Sequence, residues 1–404
     1  MSAPLSAARA LELVLAAVAP VGAEEVPIDE CLGRVTATEL RAAAPLPGFD
    51  NSAMDGYALR SADTEPRPVA LRIVAESRAG HPAERGPGPG EAVRISTGAM
   101  LPPGADSVLP LEEAEDDGEA VLPAAPVPPG AHVRRAGEDL AAGELALPPG
   151  AAIGSAEIGV LASLGLPTVA CSRRPTVAVL TSGDELLRPG EPAAPGQIYD
   201  SNRLTLLAAA REAGAEAEFA GALADDLART RETIAPALDA DFVVVSGGVS
   251  VGRHDHVKGA LAELAVEQLF WRVAMRPGGP TWAGVRARAD GGRTLVFGLP
   301  GNPVSAAVTF RLFAQPALLA AQGRDPRARR VLAKLADPYA KKPGKEHFLR
   351  CRLEPAEDGW RASLTRRNQG SHVMTSLLGA DGLAAMPAER EQVEAGEQVE
   401  VLLF

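Results

Sequence analysis

The chain has 404 residues, more than one ordinary core accommodates, so about two to four domains are expected. Hydrophobic residues make up 46% and charged residues 23%, as in a soluble globular protein. The formal net charge of -12 excludes a broad nucleic-acid surface, because counterion release requires a basic face. An anionic ligand must therefore meet local backbone amides or a few placed cations. Cys31, Cys171 and Cys351 are far apart in sequence and form no C-x-x-C pair, which argues against a disulfide framework or a zinc site and for a reducing cytoplasm.

Residues 6–19 could pass for a signal peptide, but a basic leader is missing, Glu12 interrupts the apolar run and Pro20 ends it. The pattern predicts an amphipathic helix capped by Ser6. No run reaches the ~18 apolar residues of a membrane span, so no membrane association is expected. Between 27 and 173, short β-like runs at 71–75, 92–95 and 107–111 are broken by Pro and Gly, predicting irregular β-rich modules. Residues 123–129 read as an extended linker or edge. A helix is expected at 155–164, with Ser155 as its cap and Gly165 just past its end.

From Pro175 the pattern changes. Apolar runs at 176–180, 217–222, 242–245, 269–273 and 294–297 alternate with helical segments at 203–213, 227–238, 260–264 and 304–312. Such alternation means a mostly parallel sheet covered on both faces. Gly214 stands where a helix terminates. After Arg330, five short runs (331–335, 347–353, 360–364, 382–386 and 398–403) predict a small barrel or sandwich.

Three strands of the α/β block end in glycine-rich polar turns: Thr181-Ser182-Gly183-Asp184-Glu185, Ser246-Gly247-Gly248-Val249-Ser250 and Gly298-Leu299-Pro300-Gly301-Asn302-Pro303. Glycines let backbone approach a ligand and turn N–H groups inward, and a following helix start favours an anion. One such turn would be an ordinary βα connection; three in one sheet point to a ligand cleft. Neither G-x-G-x-x-G nor G-x-x-x-x-G-K-[ST] occurs after a strand, which disfavours dinucleotide and P-loop readings. Asp184, Glu185, Asp200, Asp225, Asp226 and Asp255 accompany the turns. They suit Mg²⁺ beside phosphate, although Asp200 before Ser201-Asn202 also reads as a plain helix cap. The H-x-H spacing of His254 and His256 lacks the further ligands that zinc requires. In the first half, Pro47-Gly48-Phe49-Asp50-Asn51-Ser52-Ala53-Met54-Asp55-Gly56-Tyr57-Ala58 is a polar, turn-rich segment, either a surface loop or a functional one.

Taken in chain order, PGFDNSAMDGYA, STGAMLPPGADSV, RAGED, TSGDEL, GQIYDSN, SGGVSVGRHDHVK, VAMRPGGP and GLPGNPVSA resemble the MoeA family, to which the E domains of gephyrin and the plant Cnx protein also belong. The resemblance covers nearly the whole chain. It implies four regions. Residues 1–46 and 138–173 form an elongated, discontinuous region, and 47–137 an inserted β-rich domain. Residues 174–328 form a MoaB/Mog-like three-layer α/β domain that binds molybdopterin, and 329–404 a β-barrel. It further implies a cytoplasmic homodimer whose cleft combines the α/β domain of one subunit with the second domain of its partner. The implied reaction takes adenylated molybdopterin and molybdate to the molybdenum cofactor with Mg²⁺ and releases AMP. Molybdopterin adenylyltransferase and molybdoenzyme maturation proteins would be the protein partners.

On that resemblance, Asp55, Glu185, Asp225 and Asp255 are the catalytic acids, the last three also holding Mg²⁺. Asp55 and Thr97 would reach the partner's cleft, with Asp139 in support. Ser182, Gly183, Gly247, Gly248, Ser250, Pro300, Gly301, Pro303 and Ser305 would line the pterin and phosphates, and Arg276, Arg350 and Ser371 the oxyanion. The chain departs from the family where Lys-Pro-Gly-Lys-Pro is usual: it has Arg276-Pro277-Gly278-Gly279-Pro280. One cation changes geometry and the other is missing, so either molybdate binds more weakly or another residue such as Arg350 compensates. Two other readings share the fold: an ATP-dependent molybdopterin adenylyltransferase, and a non-catalytic scaffold.

Overall fold

A computed structural model describes residues 3–249 and 256–404. The first helix, Ala7–Ala17, starts where the Ser6 hydroxyl accepts the Arg9 N–H. Its buried face (Ala7, Ala10, Val14 and Ala17) recurs at helical spacing and packs into the core of the α/β domain. The strand Ala23–Pro27 then pairs antiparallel with Thr168–Ser172, so the intervening chain leaves and returns at one ladder. The helix Ser155–Ser163 lies where expected, but its cap is one residue earlier than Ser155. Gly154 is the cap and its N–H reaches the Glu157 carboxylate at 2.9 Å, so Ser155 is the first helical residue. Gly165 ends it at φ +71°. Cys31 and Cys171 are free thiols that meet in the small core here, a contact that their sequence separation conceals.

The β-rich unit is a six-stranded sheet in the order Ser107–Pro110, Gly56–Leu59, Glu91–Ile95, Leu71–Ser77, Ala120–Pro123, Ala114–Asp116. Gly56 lies so close to the neighbouring strand that a Cβ would stand 1.9 Å from the Leu109 carbonyl oxygen, which leaves glycine as the residue that fits.

The central sheet runs Glu216–Leu223, Thr176–Ser182, Phe242–Ser246, Arg293–Leu299, Trp282–Ala287, Glu267–Trp271. The first four strands are parallel; the pairings of Trp282–Ala287 on both its sides are antiparallel. That strand is absent from the sequence reading. Side chains alternate faithfully: Val177, Val179, Phe242, Val244, Leu295 and Phe297 face one core, and Ala178, Leu180, Val243, Val245 and Val296 the other. Helices Ser201–Glu212 and Pro303–Ala321 cover the first face, Leu227–Ala237 and His256–Glu263 the second. Pro303–Ala321 runs well past the expected 304–312 and passes through a π-turn at Phe310–Ala314. At 19 residues and mean hydropathy 1.4 it is long and apolar enough to cross a membrane, unlike any run picked out from the sequence. Yet 72% of it is buried inside the fold, as a core helix must be.

The C-terminal strands close a five-stranded barrel. Glu346–Ala356 pairs with Gly359–Leu364 and Gly382–Met386, and Arg330–Leu335 and Gln398–Leu403 complete the ring. Met275–Arg276 adds a short parallel pairing at Glu346–His347, which joins the barrel to the α/β domain.

Asp241 anchors the opposite end of the sheet. It accepts from Arg173, Arg288, and the N–H and hydroxyl of Thr176. Burial pushes its carboxyl up, but the Thr176 N–H and Arg173 together hold it below the usual range. Asp241→Asn takes the counter-charge from Arg173 and leaves Arg288 with the exposed Asp290 alone, and is expected to cost about 2–3 kcal/mol, read as a lower thermal midpoint. An unchanged midpoint would contradict this role.

Candidate active site

Thr176–Ser182, Phe242–Ser246 and Arg293–Leu299 lie side by side with Thr181 opposite Ser246 and Ser246 opposite Leu299. Their C-terminal ends therefore finish level, and the three glycine turns open onto one cleft of about 440 Å³. Ser182, Glu185, Gly247, Gly248, Pro300, Gly301 and Pro303 all line it. Gly247 and Gly248 take φ +89° and +67°. A Cβ on Gly247 would come within 2.7 Å of the Ser182 carbonyl oxygen, and one on Gly248 within 2.5 Å of Val257 Cγ2. Gly301 faces Gly247, with room to spare at 3.8 Å. The Glu185 carboxylate folds back over Gly183, where a Cβ would meet it at 2.6 Å.

The sequence reading missed Asn202. Its Nδ2 donates to Ser246 Oγ at 2.8 Å and to the Gly301 carbonyl at 2.7 Å, binding the second turn to the third. The carbonyl can only accept, which fixes the orientation of the amide. Asp200 is the structural cap expected: it accepts from the Arg203 N–H and the Thr181 hydroxyl while buried. Pro303 opens a helix whose N-terminal turn borders the cleft, a favourable place for an anion.

Other candidates lie elsewhere. Ser305 is buried inside the helix rather than on the cleft wall. Asp225 sits 3.5 Å from His256 Nε2, off the lining. Ser250 and Asp255 fall outside the described residues. Among the described residues no three His, Cys, Asp or Glu side chains gather as a metal cage. Asp55 and Thr97 meet at one end of the β-rich sheet, the Thr97 N–H donating to Asp55 Oδ1 at 2.7 Å, and both are exposed. Asp50 accepts from the Ala136 N–H and from Arg135, which hold its carboxyl below the usual range and tie the Arg135–Asp139 turn to this segment. Asp139 is exposed, its N–H on the Leu46 carbonyl. None of these lines the cleft of its own chain.

A second cavity, about 160 Å³, lies between the α/β domain and the barrel. Arg276, Arg350 and Arg367 line it with Tyr339, His347 and Gln369. Arg350 has no exposed surface, and among the described residues its guanidinium bonds to neutral groups, Ser376 Oγ and the Phe348 and Gly370 carbonyls. Burial pushes it down to about 10. Ser371 lies off the cavity wall, but its carbonyl accepts the Val304 N–H, so the cavity's loop is joined to the helix bordering the cleft. Burial, reinforced by Lys341 and Arg276, pushes His347 down to about 4, and its Nδ1 lies 2.9 Å from the Tyr339 hydroxyl.

Three family descriptions match along the chain: the MoeA N-terminal region (domain I and II) at 5–165, a probable molybdopterin binding domain at 178–320, and the MoeA C-terminal region (domain IV) at 332–404. The chain belongs to the MoeA family. Among its MoeA relatives, molybdopterin molybdenumtransferase 2 of Mycobacterium tuberculosis is 37% identical over 93% of this chain and 94% of its own length. The molybdopterin molybdenumtransferase of Haemophilus influenzae is 35% identical over 95% of each. The solved structure of a molybdopterin biosynthesis MoeA protein from Pyrococcus horikosii matches 99% of both chains with TM-score 0.85 at 35% identity.

Gly247→Ala is expected to cost about 1–2 kcal/mol from its left-handed backbone alone, and to lower turnover further by displacing Ser182. Gly301→Ala should leave the thermal midpoint nearly unchanged. Equal melts for both variants would refute the crowding at Gly247. For His347, the folded value lies below the ~6.5 of an unfolded chain, so the unfolded state takes up its proton first as pH falls. Its contribution is full above that value and is lost on acidification towards 4. His347→Gln should therefore lose less stability between pH 6.5 and 4 than the parent, as thermal melts across that range will show.

Proposed function

We propose that this chain is the molybdopterin molybdenumtransferase of its host, moving molybdenum from molybdate onto adenylated molybdopterin with release of AMP. The observation that carries the reading is the meeting of three glycine turns, locked by Asn202, beside a cavity lined by three guanidiniums. Backbone N–H groups at Gly248 and Gly301 bind the pterin pyrophosphate at the helix start, the Gly247 N–H being held by the Leu299 carbonyl, and Pro300 and Pro303 shape the same wall. Arg276 and Arg350 hold molybdate next door.

Mg²⁺ prefers oxygen ligands and keeps substrate phosphates among them, so it needs few carboxylates from the protein. Glu185 on the cleft wall fits that requirement, with Asp225 and Asp255 as its companions in the family resemblance. Glu185 would hold the ion against the phosphates, where it would supply Lewis-acid stabilisation of the charge left on the AMP leaving group. The domain limits 1–46 with 138–173, 47–137, 174–328 and 329–404 accompany this reading, as does a cytoplasmic setting. An adenylyltransferase needs only the α/β domain, whereas this chain matches the family over all its regions.

The exposed Asp55–Thr97 corner serves a second copy of the chain, completing its cleft in a homodimer. Two tests follow. AMP release from adenylated molybdopterin should depend on molybdate; ATP-driven adenylation without such release would favour the other enzyme. Asp55→Asn and Glu185→Gln should each be inactive, yet mixed subunits should recover about a quarter of parental activity, because half the dimers carry one intact cleft. No recovery on mixing would contradict the shared site.

A further inference from the structure

Arg350 presents an electrostatic deficit. A guanidinium withdrawn from water is costly unless a charge compensates it, and here its partners are one hydroxyl and two carbonyls. No carboxylate lines the cavity onto which it opens. Arg276 reaches the same cavity because its short strand pairs alongside His347. His347 adds no charge near neutrality. The third cation is Arg367, which no motif in the sequence marked.

Arg367 sits on a built turn. Gln369 accepts the Arg350 N–H at 2.9 Å and donates to the Arg366 carbonyl at 2.7 Å, which staples the turn to the strand carrying Arg350. The Gly370 N–H closes the turn onto Asn368 Oδ1. Arg367 itself is exposed at the rim and makes no ion pair among the described residues. Across the cavity, the 276–280 turn offers no second cation, although space does not forbid one. A Cβ on Gly279 would find its nearest neighbours, the Met275 and Val273 carbonyl oxygens, at 3.3 and 3.5 Å, a fit that needs only a slight shift.

We propose that Arg367 supplies the charge missing at Gly279, so that Arg276, Arg350 and Arg367 form an all-guanidinium receptor for a tetrahedral dianionic oxyanion. This rests on the reading of the cavity as the molybdate site. Planar guanidiniums present paired N–H donors to oxyanion edges, which an ammonium does not reproduce.

The test is calorimetric titration of the full-length protein with molybdate, tungstate and sulfate, together with half-saturating molybdate for AMP release. Arg367→Ala should weaken molybdate binding about tenfold or more, the size of one charge-assisted hydrogen bond, with the loss falling on half-saturation rather than on turnover at saturation. Arg367→Lys should recover only part. Gly279→Lys should restore binding in the Arg367→Ala background and add little to the parent. Parental affinity in Arg367→Ala, or no restoration by Gly279→Lys, would overturn the assignment. Should the parent bind molybdate but release AMP without it, the proposed reaction fails while the titration still decides the role of Arg367.

Discussion

The site depends on one close approach: the backbone of Gly247 passes beneath the Ser182 carbonyl with no space for a side chain between them. That approach is possible because the two strands run parallel in register, so their turns leave the sheet at the same height. The third turn arrives level with them, and Asn202 fastens it through Gly301. A cleft whose walls are main chain carries its binding groups on a rigid scaffold, and the left-handed glycines aim those groups without side-chain entropy to lose.

Charge is arranged by the opposite strategy. The chain carries a net charge of -12, which repels oxyanions at long range. The cavity beside the barrel escapes this by concentrating guanidiniums where no carboxylate intrudes and by burying one of them completely. In that low-dielectric setting a dianion gains more than it would at the surface. The barrel thus has a direct part in the chemistry, since Arg350 and the 366–370 turn belong to it while Arg276 comes from the α/β domain. The Ser371–Val304 hydrogen bond keeps the two halves of this arrangement adjacent.

Much of this was legible in the sequence. The alternating strands and helices from Pro175 onward, the three glycine turns and the five barrel strands read directly from period and punctuation. The strand Trp282–Ala287 escaped because Gly284 and Arg286 interrupt its apolar pattern, and its place is set by neighbours rather than propensity. Asn202 read as a residue following a cap, since its partners lie 44 and 99 residues away. Arg367 carried no signal for the same reason: proximity to Arg276 and Arg350 is a property of the closed barrel. Ser155 looked like a helix cap by residue type, yet Glu157 caps the Gly154 N–H instead. What sequence conveys well is local pattern; what it withholds is which distant polar groups share a hydrogen bond.

The most direct measurement is a crystal structure of the protein with adenylated molybdopterin bound. The account places the pyrophosphate against the backbone N–H groups of Gly248 and Gly301, with Asp55 and Thr97 of a second subunit approaching the same ligand. A pyrophosphate bound away from these turns, or a cleft completed without any second chain, would contradict it.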